Sequence, residues 1–353
     1  MGKICVLETR LITKDKIKPW IEAMLEKTKV IAPQESHGDI LYDFIDTPQE
    51  VMLDAYEVPP WMSIKRFFFP QMDTILKYKK ENGRMEVEPV LSELKRVIFG
   101  VRACDHSALS FCDKWYTADG FKDVYYLRRR ENSTIINIAC NVPGKNCFCV
   151  YADTGPFARN EFDIQMIDFG EEYLVEIGSA KGKTLTQGRY AHLFGDAPKT
   201  AEEKRFELLL EAKGMFRTYI DQRSVTEKLK KDEVPDALWE NMSKRCQNCG
   251  GCSYVCPCCI CFNVVDKKIN SNEGFRVRTW DNCTFAGYTL MAGGHNPRGK
   301  QKDRFMRRYY HKLFYEFDKF GEIGCVGCGR CTTTCPGKID MARVTRSILT
   351  RGT

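Results

Sequence analysis

Two cysteine runs carry the chemistry of this sequence: Cys246-x2-Cys249-x2-Cys252-x3-Cys256-Pro257 and Cys325-x2-Cys328-x2-Cys331-x3-Cys335-Pro336. Three thiolates at this spacing wrap one face of a [4Fe-4S] cube, and the fourth, turned away just before a proline, reaches the cube held by the other run. The spacing predicts crossed ligation: Cys246, Cys249, Cys252 and Cys335 on one cluster, Cys325, Cys328, Cys331 and Cys256 on a second. A chain with two such cubes moves electrons. Structural zinc is the competing chemistry for Cys-x2-Cys pairs, but zinc sites gather two separated pairs. Here each run packs four cysteines into eleven residues, and the pattern recurs after a gap of 68. A disulfide framework is disfavoured, because MGKICVLETR leads into charged residues rather than an apolar signal region. The expected setting is a reducing, cytoplasmic one in which the thiols serve metal.

Ten further cysteines remain. Cys104, Cys140, Cys147 and Cys149 lie in or just after apolar runs that read as buried strands, and Asn141–Asn146 between them is a turn-rich loop. Strand ends are where α/β sheets present ligands, so these four make a third iron–sulfur site, against the alternative that they are small buried hydrophobes. Cys258, Cys259 and Cys261 follow the first run directly. They either bind metal, with Cys283, or line the clusters and tune them by packing. Cys5 and Cys112 have no partner in sequence and read as structural.

The elements that must position these groups fall into two parts. Residues 1–199 read as a mixed α+β or α/β domain: strands at Ile4–Ile12, Val97–Val101 and Thr134–Ala139, a helix over Lys14–Val30, and a hairpin from Phe162–Asp168 and Tyr173–Ile177. Residues 200–353 read as an α-helical dicluster domain. Phe305, Tyr309, Leu313 and Phe317 stand four apart on one face of a helix, with Arg304, Arg307, Arg308 and Lys312 elsewhere, and Asp340–Arg351 closes the chain as a helix. No Gly-x-Gly-x-x-Gly follows any strand, so no flavin is expected in this chain.

The composition is that of a globular protein of about two domains, 43% hydrophobic and 29% charged, with no membrane span in the sequence. The formal charge of +7 falls to about +3 with two clusters and about +1 with three, since each cube with its thiolates carries about −2. A basic excess that small is weak support for nucleic-acid binding, and no recognition-helix signature accompanies it. None of the five histidines joins a nucleophile and an acid; His106 and His295 read as packing or hydrogen-bonding residues.

With these segments in hand, the chain resembles the family of iron–sulfur electron-transfer subunits that groups hydrogenase subunit beta with its counterpart in anaerobic sulfite reductase. The resemblance rests on Pro60-Trp61-Met62-Ser63-Ile64-Lys65-Arg66-Phe67-Phe68-Phe69-Pro70-Gln71, Gly100-Val101-Arg102-Ala103-Cys104-Asp105 and Cys147-Phe148-Cys149. It continues through Cys256-Pro257-Cys258-Cys259-Ile260-Cys261-Phe262, Arg278-Thr279-Trp280-Asp281-Asn282-Cys283 and Cys325-Val326-Gly327-Cys328-Gly329-Arg330-Cys331. Two positions depart from the pattern: Ala103 stands where proline is expected, and Cys258 where a small polar residue is usual. The resemblance implies a non-catalytic member of a hetero-oligomeric oxidoreductase complex of anaerobic metabolism. Such a protein relays electrons from a flavin-containing donor subunit, or from a ferredoxin, to a terminal redox subunit, which is a sulfite reductase, a hydrogenase or a heterodisulfide-reductase module.

Backbone amides of Gly250-Gly251 and Val326–Arg330 are placed to donate to cluster sulfurs, and Lys244, Arg245, Arg330 and Lys338 bring positive charge near them. Arg330 is expected to tune the second cluster. The competing class is a self-contained flavin-dependent reductase, in which Lys65 and Phe67–Phe69 would contact a cofactor; without a phosphate-binding loop these read as packing residues.

Overall fold

The computed structural model describes residues 8–53, 59–159 and 161–351. The first part is built from strands β1 (Glu8–Thr13), β2 (Lys29–Ser36) and β3 (Asp39–Ile45) around helix α1 (Ile17–Leu25), then β4 (Met72–Glu81) and β5 (Arg84–Pro89). β6 (Arg96–Arg102), α2 (Ala103–Tyr116), α3 (Val124–Glu131), β7 (Ser133–Ile138), β8 (Ile164–Asp168), β9 (Glu172–Ile177), α4 (Ala180–Thr184) and β10 (Gly195–Asp196) follow. Eight strands form one mixed sheet in the order β10-β1-β9-β8-β7-β6-β2-β3. The central strands β2, β6, β7 and β8 run parallel, and the flanking pairs are antiparallel. Such strands are covered on both faces and so read as continuous apolar runs. Trp20, Ile21 and Met24 of α1 cover one side with Phe99, Ile136 and Met166. Phe68, Leu109 and Tyr126 cover the other with Ile31, Ile98 and Ile135.

The second part holds α5 (Ala201–Gly214), α6 (Gln222–Lys230), α7 (Asp236–Ser243), α8 (Gly251–Tyr254), β11 (Phe262–Lys268), β12 (Glu273–Trp280), α9 (Gln301–Tyr310), α10 (Glu316–Phe320), α11 (Arg330–Thr334) and α12 (Met341–Arg351). Its core gathers Trp239, Phe305, Tyr309, Leu313, Val344 and Ile348, and takes in Phe148 from the first part.

Three expectations are corrected. The second part is not all helical: β11 and β12 form a hairpin, and β12 pairs with β4, giving a second, antiparallel sheet β11-β12-β4-β5 that joins the two parts. The helix expected over Lys14–Val30 ends at Leu25, because Lys29 and Val30 already belong to β2 beside β6. The four-residue stripe of α9 does not run on to Phe317. A π turn at His311–Tyr315 adds a residue to the helical turn and shifts the phase, so Glu316 is buried at 4% exposure and Phe317 faces solvent at 44%. The strand expected at Ile4–Ile12 begins in residues 1–7, outside the described residues, as does Cys5; from Glu8 onward it is β1.

Candidate metal centre

Each cysteine run is shaped by a left-handed glycine that opens a short helix. Gly250 (φ +77°) precedes α8 and Gly329 (φ +73°) precedes α11. The fourth cysteine of each run lies just past its helix, Cys256 after α8 and Cys335 after α11. The helices pack together so closely that a Cβ at Gly251 would stand 2.8 Å from the Thr334 Cγ2. The two runs therefore face each other. Burial raises the Cys246 thiol, the Asn248 amide opposes this, and its charged neighbours are Cys252, Cys335 and Cys249. Burial pushes Cys325 up to about 11, with Lys312 opposing and Cys256 and Cys328 adding to it. Cys331 is raised by burial, then by Cys325, and then by Cys328. Cys335 thus neighbours Cys246 of the other run, and Cys256 neighbours Cys325 and Cys328.

The four cysteines of the first part come together as well. β6 and β7 are parallel and in register at Arg102 and Ile138, so Cys104 and Cys140 each lie two residues past the same level of the sheet. The loop after β7 returns Cys147 and Cys149 to this point, and all four thiols line one pocket with Arg102, Pro143, Gly144 and Phe216. Arg102 Nη1 donates to Cys140 Sγ at 3.3 Å. Burial raises Cys149 well above the ordinary thiol value, and Cys147, Cys140 and Cys328 add to it.

This pocket abuts the second run. The Phe148 amide donates to the Gly327 carbonyl at 2.7 Å, and Thr154 Oγ1 donates to the Val326 carbonyl at 2.8 Å. Gly327 (φ +62°) has no room for a side chain, since a Cβ would lie 2.5 Å from the Cys149 nitrogen. Arg330 is buried, not on the surface: it makes a two-pronged ion pair with Asp105 and donates to the Pro60 carbonyl. Lys244, Arg245 and Lys338, expected to place charge near the clusters, are exposed.

A further group of thiols and cations lies beyond Cys256. Cys256 shares hydrogen bonds with the Cys258 and Cys259 thiols, and Cys261 shares one with Cys283. Arg304, Arg308 and Lys312, assigned from sequence to faces away from the apolar stripe, are all buried. Arg308 Nη1 reaches Ser253 Oγ at 2.8 Å and Cys259 Sγ at 3.5 Å, and Lys312 Nζ reaches Cys259 Sγ at 3.7 Å. Lys65 Nζ donates to the carbonyls of Ser253, Cys256 and Cys259 at 3.1, 2.8 and 2.8 Å and lies 4.3 Å from the centre of the Trp280 ring. Burial draws this ammonium below the usual lysine value, and nearby cysteines oppose it. Lys65 therefore ties down the cysteine loop, while Phe67, Phe68 and Phe69 pack as expected. Asp105, Arg308 and Lys312 were not singled out as site residues. The signal for the last two was basic residues four apart on a helix in a chain rich in thiols, a stripe that solvent exposure explains equally well until burial is known.

Cys112 is buried and hydrogen-bonds the Pro257 carbonyl at 3.8 Å, which suits a structural role. His106 is buried, His295 is exposed, and His311 pairs with Glu316. Among the described residues no three His, Cys, Asp or Glu side chains converge closely enough to hold a single ion. A cube carries its four thiolates on its outer corners, so it takes ligands set more widely apart, in sulfur-only groups such as these.

Residues 245–339, which contain both runs, match a family model described as a 4Fe-4S dicluster domain. Over 331 residues the chain is 33% identical to the sulfhydrogenase 2 subunit beta of Pyrococcus furiosus, an alignment spanning 90% of this chain and 92% of that protein.

Proposed function

The chain belongs to the family of the sulfhydrogenase subunit beta, and from that membership we propose that it is a relay that passes single electrons between a flavin or ferredoxin donor and a terminal redox subunit of one complex. The observation that supports the reading is the facing of the two cysteine runs, with Cys335 beside Cys246, and Cys256 beside Cys325 and Cys328. Bound there, [4Fe-4S] clusters supply one-electron redox chemistry at potentials set by charge, hydrogen bonding and exposure.

The protein's part is to hold and shield. Cys246, Cys249, Cys252 and Cys335 would be one ligand set, and Cys325, Cys328, Cys331 and Cys256 the other. Cys104, Cys140, Cys147 and Cys149 would be a third, in contact with the second run through the bond from the Phe148 amide to the Gly327 carbonyl. That contact extends the line of thiol groups from the dicluster domain onto the ends of the parallel strands, where a second partner would dock. Arg330 and Asp105 sit between the second and third sets, where an oriented ion pair biases the potential of both. Among the described residues no helix is long and apolar enough to cross a membrane. Hydrogenase, sulfite reductase and heterodisulfide-reductase modules are the candidate terminal subunits.

Anaerobic purification from the native source tests this directly. Iron in the chain, a flavin on a co-purifying protein and none in the denatured chain itself are expected. Flavin bound to this chain would favour the self-contained reductase, and iron-free protein would end both readings.

A further inference from the structure

Cys249 is the one cysteine that stands exposed among the described residues. The thiol set it belongs to therefore opens to solvent, and its surroundings decide what can reach it. Lys244 and Arg245 lead directly into Cys246. The loop 285–300 starts against Gly250, where a Cβ would stand 2.6 Å from the Phe285 ring, and leads into Gln301, whose side-chain amide donates to the Cys246 carbonyl. Gly337 packs on the Arg245 carbonyl and brings Lys338 alongside. Asn146 Nδ2 donates to Thr333 Oγ1 at 3.1 Å, which sets Lys145 beside the same run.

The charge on these segments has one sign. Residues 144–147, 244–252, 285–300 and 332–339 hold Lys145, Lys244, Arg245, Arg298, Lys300 and Lys338, and no Asp or Glu. All are exposed except Arg298, which is half-buried. None of them is in an ion pair among the described residues, whereas Lys302, just beyond, pairs with Asp236. The carboxylates that flank these segments are engaged: Asp281 accepts from the Asn282 amide, and the buried Asp340 accepts from the Thr332 hydroxyl and the Arg343 amide. Nearly all of the formal excess of +7 is thus concentrated here. A cube with its four thiolates carries about −2, so the face stays positive when the set is filled. On the same loop Leu290 and Met291 are 57% and 58% exposed. Apolar side chains within a polar rim are the anatomy of a contact between proteins, whereas a nucleic-acid site is dominated by cations on phosphates.

We propose that this face docks a small acidic one-electron carrier protein, which exchanges electrons with the cluster on Cys246, Cys249, Cys252 and Cys335. In each encounter the carrier's reduced centre gives up one electron and the oxidised cube accepts it, with no bond made or broken and no proton moved. The cations steer the encounter, and contact with Leu290 and Met291 seats it. The inference rests on the proposed function only for the presence of a cluster on that thiol set.

Stopped-flow reduction of the anaerobically prepared holoprotein tests it, with a reduced bacterial ferredoxin of net negative charge, freed of excess reductant, as the probe. The wild-type rate should fall steeply as ionic strength rises. A face variant carrying Lys145→Glu, Lys244→Glu and Lys300→Glu should react at least about tenfold more slowly at low salt, with wild-type iron content. A control carrying Lys77→Glu, Lys80→Glu and Lys268→Glu makes the same change in net charge on the exposed strands β4 and β11, and should react like the wild type. If the face variant does not fold, the same three lysines changed to Gln should slow the reaction in the same direction. Equal slowing by face variant and control, or a wild-type rate in a folded and iron-loaded face variant, overturns the inference. So does an oligonucleotide that binds the wild type and is lost from the face variant alone. These results leave the relay standing if Cys335→Ser still alters a cluster; iron-free wild type overturns both.

Discussion

Arg330 and Asp105 meet in a two-pronged ion pair, Nη1 to Oδ1 at 2.7 Å and Nη2 to Oδ2 at 2.6 Å, with both side chains almost wholly out of water. Arg330 opens α11 inside the second cysteine run, and Asp105 follows Cys104 in the first turn of α2. The pair is therefore a bolt between the two parts of the chain, set where the second and third thiol groups adjoin. Its geometry suits arginine, whose planar fork matches a carboxylate.

Breaking that bolt leaves a charge buried and alone. Arg330→Met should lower the stability of the holoprotein by about 3–5 kcal/mol, and Asp105→Leu by a similar amount. Removing both should cost less than the sum, because no orphaned charge remains. Denaturant titrations of the four proteins under anaerobic conditions measure the cycle; additive losses would mean that the two residues are not coupled.

Crossed ligation predicts which variants resemble one another. Cys335→Ser should alter the same cluster as Cys246→Ser, and Cys256→Ser the same cluster as Cys325→Ser. Electron paramagnetic resonance of the reduced proteins reads this pairing. Spectra that pair Cys335 with Cys325 would show each run closing its own cube.

At Gly327 the constraint is both space and backbone. Gly327→Ala would press a methyl group against the Cys149 nitrogen at a positive φ, and should destabilise the protein by about 1–3 kcal/mol. The melting temperature should fall, and iron held by the Cys104 set should be lost more readily than iron held by Cys246, Cys249 and Cys252. A variant that melts with the wild type would mean the loop from Cys147 to Cys149 does not need this close approach.

Lys65 holds three carbonyls at once. Lys65→Met keeps much of the volume and leaves the Ser253, Cys256 and Cys259 oxygens without their donor, at a cost of about 3 kcal/mol. The loop carrying Cys256 should then release iron faster to a chelator than in the wild type. Equal release rates would reduce Lys65 to a packing residue.

The sequence by itself determined the ligand chemistry, because thiolate spacing within a run is a local property: three cysteines three apart and a fourth before proline need little from the rest of the chain. It also marked the buried strands β6 and β7, whose apolar runs are local in the same way. Only the tertiary structure decided what faces what. The pairing of β12 with β4, the register that brings Cys104 level with Cys140, and the burial of Arg308, Lys312 and Arg330 all join residues far apart in the chain. A basic residue on a helix has the same identity whether it faces water or a group of thiols, and the phase of the helix, shifted at the π turn, decides between them.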